Sequence, residues 1–185
     1  MHVLFAQNPV QTANTYTQNK KNTIYKELLY ISLKTQKMHH IINNKIVKTY
    51  VISSAEKGAG NIKNSHQTPL GLHSVKEKHG DKTPLFGKMI GRVFYGQIAK
   101  IHNDSSRSKT DDVTTRVLWL SGEEDGINKG GNVDSYQRYI YIHGTSEEGR
   151  LGIPASHGCI RMKNFEVVEL FNKIALGTKV LILDK

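Results

Sequence analysis

The sequence predicts a mainly β domain with one well-defined helix near its carboxyl end. Short apolar or alternating stretches recur along the chain and are separated by polar, glycine-bearing loops. Only residues 164–177 carry the apolar stripe of a convincing amphipathic helix. Because strands outnumber helices, and because 185 residues suit a single domain, we expect one β-rich unit.

Residues 1–20 differ from the rest of the chain. They are rich in Gln, Asn and Thr and show no apolar periodicity, which predicts a flexible N-terminal tail or linker remnant. The domain is then residues 21–185. Its predicted strands are residues 28–31, 38–42, 46–52, 72–75, 89–98, 113–120, 138–143 and 179–183.

Turn and cap residues mark the ends of these elements. Asn43 and Asn44 tolerate a positive φ and predict a hairpin turn. Asn164 is the predicted N-cap of the helix, and Gly177 is its predicted C-cap residue. Residues 121–135 hold four glycines, which predicts a long loop of the kind that is often functional or mobile.

Composition and charge limit the class of protein. The chain has 37% hydrophobic residues and a mean hydropathy of −0.46, which is typical of a soluble globular protein. No apolar run approaches the roughly 18 residues that span a bilayer, so no integral membrane segment is expected. The opening MHVLFAQNPV has no basic region before its apolar patch, so no signal peptide is visible.

The net charge of +10 favours polyanionic surroundings. The lysines are scattered singly, and the sequence has no arginine-rich helix, no aromatic RNA-binding strand and no zinc-finger spacing. Nucleic acid is therefore not the expected partner. An anionic cell wall or membrane surface explains the charge equally well.

The chain has a single cysteine, Cys159, so it forms neither an intramolecular disulfide nor a cysteine-rich zinc site. A lone cysteine is more often a small buried apolar residue than a nucleophile. Here residues 156–159 read Ser-His-Gly-Cys, Arg161 follows, and His143 stands sixteen residues earlier at the end of a predicted strand. This grouping favours a nucleophile.

Each neighbour of the cysteine has a chemical use. An imidazole within hydrogen-bond reach raises the thiolate fraction of a thiol, whose free pKa is near ~8.5, and returns the proton to a leaving amine. Gly158 removes side-chain bulk and lets successive N–H groups cradle an oxyanion. Arg161 offers a planar fork for a substrate carboxylate. The structural alternative is that Arg161 pairs with an internal acid, such as Glu166, and ties the loop to the start of the helix.

These residues resemble the signature of the L,D-transpeptidase catalytic domain, also called YkuD-type. That signature is a His on a strand, a gap, then Ser/Thr-His-Gly-Cys, followed one residue on by Arg or Asn. His143, residues 156–159 and Arg161 match it. The likeness covers roughly residues 25–183, and it includes the turn at residues 68–71 and the segment 132–134.

The resemblance implies a β-sandwich catalytic domain that works on peptide stems of bacterial peptidoglycan. The thiolate of Cys159 attacks the carbonyl between diaminopimelate and a terminal D-alanine, a thioester forms, and D-alanine leaves. The amine of a second stem then gives a 3→3 cross-link. Water as acceptor gives a carboxypeptidase or endopeptidase instead, and a lipoprotein lysine gives covalent anchoring. The acceptor stays open at this point.

The resemblance also implies roles for individual residues. His143 is the general base, oriented by a backbone carbonyl near Gly144, and His157 is a supporting residue and the alternative base. Gly158 belongs with the catalytic group. The residues expected to contact substrate are Arg161, Ser156 and Tyr141, with packing as an equal alternative for Tyr141.

No cofactor or metal is expected, because the remaining histidines have no ligand-like spacing with acids. The implied partner is the peptidoglycan stem peptide, and the implied location is periplasmic or facing the cell wall. An inactive wall-binding domain is the alternative from a different class, but the intact set of Cys159, His143 and Arg161 argues against it. A papain-like protease would carry its His after the Cys rather than before it.

Overall fold

The computed structural model describes residues 8–185, which form a ten-stranded mixed sheet and two α-helices. The prediction of a mainly β domain is confirmed. The helices are α1 (Pro9–Lys21) and α2 (Asn164–Lys173). The strands are β1 (Glu27–Ser32), β2 (Lys37–Ile42), β3 (Lys45–Val51), β4 (Gly71–His79), β5 (Gly87–Ile90), β6 (Val93–Ile98), β7 (Val113–Gly122), β8 (Tyr141–Gly144), β9 (Ile160–Met162) and β10 (Lys179–Leu183).

The strands follow the order β3-β2-β1-β10-β4-β7-β5-β6, and β8 and β9 branch from β7. The pairs β1·β10 and β8·β9 are parallel, whereas the other pairs are antiparallel. The predicted hairpin turn between β2 and β3 is present, with Asn43 and Asn44 at φ of 50° and 60°. The last strand of the chain thus lies inside the sheet, next to the first.

Both faces of the central strands are buried. On β1, Leu29 and Ile31 join the apolar cluster that contains residues of α2, β8 and β9. Leu28 and Tyr30 point to the opposite face and join the cluster that includes Ala13 of α1. Burial on both faces explains why β1 and β10 are continuous apolar runs rather than alternating ones. The packing of β8, β9 and α2 over the central strands gives the predicted sandwich.

Helix α1 corrects the prediction for the N-terminal segment. A flexible tail over residues 1–20 is wrong for residues 9–20, which are helical; residues 1–7 lie outside the described residues. The helix begins where the Asn8 side chain accepts the Val10 N–H at 2.9 Å, with Pro9 in the first turn. It ends at Asn22, which has a left-handed φ of 49°.

Contacts with the sheet hold α1 in place. Ala13 is fully buried, and the Tyr16 hydroxyl donates to the Glu124 carboxylate at 2.9 Å. Val10, Ala13 and Tyr16 recur every three residues, so a short apolar stripe was present in the sequence. Its few apolar residues make the helix depend on this docking, since short isolated helices are marginal in water. No helix within residues 8–185 has the length and apolar character to cross a membrane.

Several predicted element boundaries are wrong. Residues 89–98 form two strands, because the chain turns at Gly91 and Arg92 with φ of 54° and 71°. In the segment 138–143 the strand starts only at Tyr141, since Tyr139 has a φ of 58°. Helix α2 ends at Lys173, so Gly177 lies beyond it.

Asn164 is the first helical residue of α2 rather than its N-cap, which is Lys163. Its side chain points inward instead: Nδ2 donates to the Thr145 carbonyl at 2.8 Å and to the Glu148 carboxylate at 2.7 Å. Asn164 Oδ1 also accepts from the Thr114 hydroxyl at 2.7 Å. A buried polar side chain with all of these partners fixes the start of α2 against β7 and the chain after β8.

The predicted long loop at residues 121–135 is anchored to β4 and the residue before it. The Glu124 carboxylate accepts the Leu72 N–H at 2.6 Å, and Asn128 Nδ2 donates to the carbonyls of Leu70 and Leu72, both at 3.0 Å. A short 3-10 helix, Gly131–Val133, lies within the loop. These side-chain hydrogen bonds hold the loop in place, because its irregular backbone does not form the regular hydrogen bonds of a sheet.

Candidate active site

Strands β8 and β9 bring the predicted catalytic residues together. They are parallel, with His143 opposite Arg161 and Ile142 opposite Ile160. The two isoleucines enter the core, so His143 and Arg161 share the opposite face. Cys159 immediately precedes β9, two residues before Arg161, and therefore belongs to the same face. Although sixteen residues separate His143 from Cys159 in the sequence, the strand pairing places the two residues diagonally from each other.

Cys159 is half-buried. Its S–H donates to the Tyr139 carbonyl, with Sγ and O 3.3 Å apart. Its Sγ accepts from the Tyr141 N–H at 3.4 Å. Burial raises the pKa of the Cys159 thiol to about 12, although the Tyr141 N–H opposes this shift. The thiol is therefore neutral at rest.

The loop before Cys159 is fixed by backbone geometry. Gly158 has a φ of 132°, which a side chain would strain. A Cβ there would meet only ordinary contacts at 3.4 Å and beyond, so conformation rather than bulk requires glycine. Its N–H donates to Ser156 Oγ at 3.2 Å, so this N–H is not free to bind an oxyanion as predicted.

Ser156 is buried and serves the loop. Its hydroxyl donates to the Cys159 carbonyl at 2.6 Å, and the Thr68 hydroxyl donates to the Gly158 carbonyl at 3.0 Å. This geometry does not favour the prediction that Ser156 contacts substrate, because the residue is only 2% exposed and its hydroxyl is used internally. Ser156 positions the nucleophile loop instead.

His143 is buried, and its Nδ1–H donates to the Gly144 carbonyl at 2.6 Å. This bond fixes the tautomer in which Nε2 carries the lone pair. Burial lowers the pKa of His143, with Asp111 opposing the shift, so the ring is neutral near pH 7. Gly144 is required for space, since a Cβ there would lie 2.5 Å from Asn164 Oδ1 and 2.9 Å from the Thr114 carbonyl.

In the described residues, the hydrogen bonds of Sγ go to backbone groups and not to an imidazole. Catalytic hydrogen bonds are often loose in unliganded sites and tighten with substrate. His157, the other candidate, has a side chain that is 67% exposed, and its Nδ1–H donates to Asp111 Oδ2 at 2.7 Å. Its ring faces that of His66 edge-on at 6.0 Å. His157 thus lies at the rim of the site.

Arg161 is buried in a network of acids. Its side chain is 2% exposed, Nη1 donates to Glu147 Oε2 at 2.8 Å, and Nη2 donates to Asp111 Oδ1 at 2.6 Å. This geometry argues against the prediction that Arg161 grips a substrate carboxylate, because two protein carboxylates already hold its fork. The structural alternative, a pairing with an internal acid, agrees with this geometry, although the acids are Glu147 and Asp111 and not Glu166. Asp111 thereby joins the buried Arg161 to the exposed His157.

Tyr141 packs rather than lining the cleft. Its ring meets Trp119 edge-on at 5.5 Å, and Arg92 Nη1 donates to its hydroxyl at 3.1 Å. The packing alternative is therefore the one that this geometry supports. Trp119 also stacks on Tyr136 at 4.1 Å and on Tyr139 at 5.6 Å. This aromatic shelf escaped the sequence analysis because its members come from separate segments.

A cavity of about 540 Å³ lies beside this shelf. It is lined by Lys63, Asn64, His66, Trp119, Tyr136, Gln137, Arg138, Tyr139, Ile140 and His157. Tyr139 connects it to the nucleophile, since its carbonyl accepts the Cys159 S–H. Within residues 8–185, no group of three or more His, Cys, Asp or Glu side chains has the geometry to hold a metal ion.

Comparison with known proteins decides the family. The model of the YkuD family, the L,D-transpeptidase catalytic domain, matches residues 26–182. The chain belongs to the L,D-transpeptidase catalytic-domain family. This stretch includes β8, β9 and the loop that carries Cys159, so the resemblance noted in the sequence is confirmed.

Individual relatives of this L,D-transpeptidase domain match over shorter stretches. YqjB of Bacillus subtilis (strain 168), named as an L,D-transpeptidase, is 55% identical over 47 residues, which are 25% of this chain and 27% of that protein. YbiS of Escherichia coli (strain K12), also named as one, is 40% identical over 48 residues, 26% of this chain and 16% of its own length. The chain matches well under two thirds of these relatives' lengths.

Solved structures agree on the fold. The L,D-transpeptidase from Xylanimonas cellulosilytica gives a TM-score of 0.55 at 19% identity, covering 87% of this chain and 62% of that one. The L,D-transpeptidase from Mycobacterium smegmatis gives 0.51 at 14% identity, covering 85% and 58%. At these identities the likeness shows the architecture of L,D-transpeptidase catalytic domains.

Proposed function

We propose that this chain is a peptidoglycan L,D-transpeptidase that works through a thioester on Cys159. It acts on tetrapeptide stems, releases D-alanine and forms 3→3 cross-links. The observation that carries the proposal is the shared sheet face: the neutral His143 lies on β8 opposite Arg161 of β9, and Cys159 comes two residues before Arg161. The +10 charge suits an anionic wall, and we propose a periplasmic or wall-facing location with stem peptides as partners.

The acylation step follows from the protonation states. The pKa of Cys159 is raised by burial and that of His143 is lowered by burial, so both groups are neutral before substrate binds. As Sγ attacks the stem carbonyl, its proton passes to Nε2 of His143. His143 then gives this proton to the amine of D-alanine as the C–N bond breaks, and a thioester remains.

Resolution of the thioester uses the same residues. The amine of a second stem attacks the thioester carbonyl, Nε2 of His143 accepts its proton, and the thiol is restored. The Gly144 carbonyl stabilises the imidazolium that forms in each step, because it accepts the Nδ1–H at 2.6 Å. Since Gly158 donates to Ser156 Oγ, we propose the Cys159 N–H as the donor to the oxyanion.

Purified tetrapeptide muropeptides test the proposal. We expect dimers whose mass equals two substrates minus one D-alanine, because the second stem replaces D-alanine at the acyl carbonyl. Liquid chromatography with mass spectrometry measures them, and Cys159→Ala, which lacks the nucleophile, is the control. Tripeptide monomers as the sole product would show that water is the acceptor and would contradict transpeptidation.

A further inference from the structure

The cleft beside Cys159 is positively charged. Among its described lining residues, Lys63 and Arg138 carry positive charge, and none is Asp or Glu. Three acids border this lining, and each is already bonded: Asp111 to His157 and Arg161, Asp134 to the Gln137 N–H, and Glu77 to the Tyr136 hydroxyl. A ligand that enters the cleft therefore meets cationic side chains and aromatic surface, which favours an anionic group.

Arg138 is the fixed charge of this cleft. Its Nη1 donates to the carbonyls of Gly60 and Asn61 at 3.2 and 2.8 Å, and its Nη2 donates to the Gln67 carbonyl at 2.7 Å. All of these acceptors are neutral. In the part of the chain that the structure describes, Arg138 has no carboxylate partner.

Arg138 lies close to Cys159 in the structure. It immediately precedes Tyr139, whose carbonyl accepts the Cys159 S–H at 3.3 Å. Burial lowers the pKa of Arg138, and a negative charge on Cys159, as in the thiolate, would oppose that shift. Arg161 has no such freedom, since Asp111 and Glu147 neutralise it.

We propose that Arg138 is a specificity-determining residue that selects donor stems with a free carboxylate on the leaving D-alanine. This inference rests on the proposed function, because it names the group that the same cleft recognises. The backbone carbonyls hold the guanidinium rigidly, so binding an anion orders no further rotamer. Two unit charges in a partly desolvated cleft attract strongly enough for a preference on the order of tenfold.

Paired donor peptides test the selection. A tetrapeptide stem that ends in D-alanine is compared with the same stem that ends in D-alaninamide, by kcat/KM. We expect the acid to be favoured about tenfold by the wild type, a ratio near one in Arg138→Gln, and most of the preference kept in Arg138→Lys. The matched control is Arg107→Gln, a surface arginine paired with Glu56, which should keep the wild-type ratio.

A purely structural role for Arg138, as a tie for the loop at residues 60–67, predicts a different result. In that case Arg138→Gln would lower kcat/KM for both peptides equally and leave their ratio as in the wild type. This result would overturn the proposal.

Alkylation separates this inference from the proposed function. Rates of Cys159 modification by iodoacetate and iodoacetamide are measured at one pH, because neither reagent needs peptidase chemistry. We expect the iodoacetate to iodoacetamide ratio to fall by about tenfold in Arg138→Gln and to fall with added salt in the wild type. A ratio equal in wild type and Arg138→Gln refutes the role of Arg138. A shifted ratio in a protein that turns over no stem peptide supports Arg138 and refutes the proposed function.

Discussion

His143→Gln is expected to lower kcat/KM for a tetrapeptide stem by about 10²–10⁴-fold, the usual effect of losing a general acid–base. The glutamine amide can still donate to the Gly144 carbonyl, as Nδ1 does at 2.6 Å, so the melting temperature should change little. The variant nevertheless lacks a group that accepts the Cys159 proton. Steady-state release of D-alanine measures the effect.

The pH profile separates this role from a structural one. Burial lowers the pKa of His143 from 6.5, so the neutral, active imidazole persists to a lower pH than in a free histidine. Wild-type kcat/KM should therefore stay high through pH 6.5 and fall below it, as the ring becomes protonated. His143→Gln should lose this acidic limb. Retention of the same limb in the variant would assign it to another group, and His157→Gln is the matched comparison.

Arg161→Lys is expected to destabilise the protein by about 3 kcal/mol, because a single ammonium cannot hold both Glu147 and Asp111. Glu147 is 6% exposed and would keep a poorly compensated charge. In a chain of this size the loss corresponds to a fall in melting temperature of about 6–12 °C at pH 7. Thermal unfolding followed by circular dichroism measures it.

The difference in melting temperature between wild type and Arg161→Lys should depend on pH through the carboxyl groups of Asp111 and Glu147. Burial acts to raise the pKa of Asp111 and of Glu147, but their partners, among them Arg161, bring both below their ordinary values. Their contribution is therefore present at neutral pH and is lost as the pH falls through the folded pKa values. The difference in melting temperature between wild type and Arg161→Lys should therefore become smaller in acid.

Arg107→Lys, at a surface pair with Glu56, is the control for Arg161→Lys and should shift the melting temperature by less than about 2 °C. If Arg161→Lys keeps the wild-type melting temperature but loses acylation by the stem, Arg161 acts in substrate binding and not in stability.

The sequence predicted the parts of the site that are local in the chain. Residues 156–159 are contiguous, and alternation in the segment before His143 placed that side chain on one face, so strand geometry alone brings Cys159 and His143 near each other. The apolar runs at residues 28–31 and 179–183 were likewise predicted as strands, and they form β1 and β10.

The rest depended on contacts between distant segments. Asp111 and Glu147 reach Arg161 across 50 and 14 residues, so no local pattern could show that its fork is already held. In the sequence Arg138 belonged to a predicted strand, and no local pattern showed that its guanidinium donates to carbonyls of residues 60–67. Helix α1 carries few apolar residues, and its docking on the sheet rather than its own propensity makes it ordered.

The direct test of the account is intact-protein mass spectrometry after incubation with a tetrapeptide donor and no acceptor amine, quenched in acid. We predict a species heavier by the donor minus D-alanine, with D-alanine released in equal amount and the added mass mapped to Cys159 by peptide digestion. Cys159→Ala should give no such species, because it has no thiol to acylate. An adduct that persists in Cys159→Ala, or that maps to another residue, would contradict the assignment of Cys159 as the nucleophile.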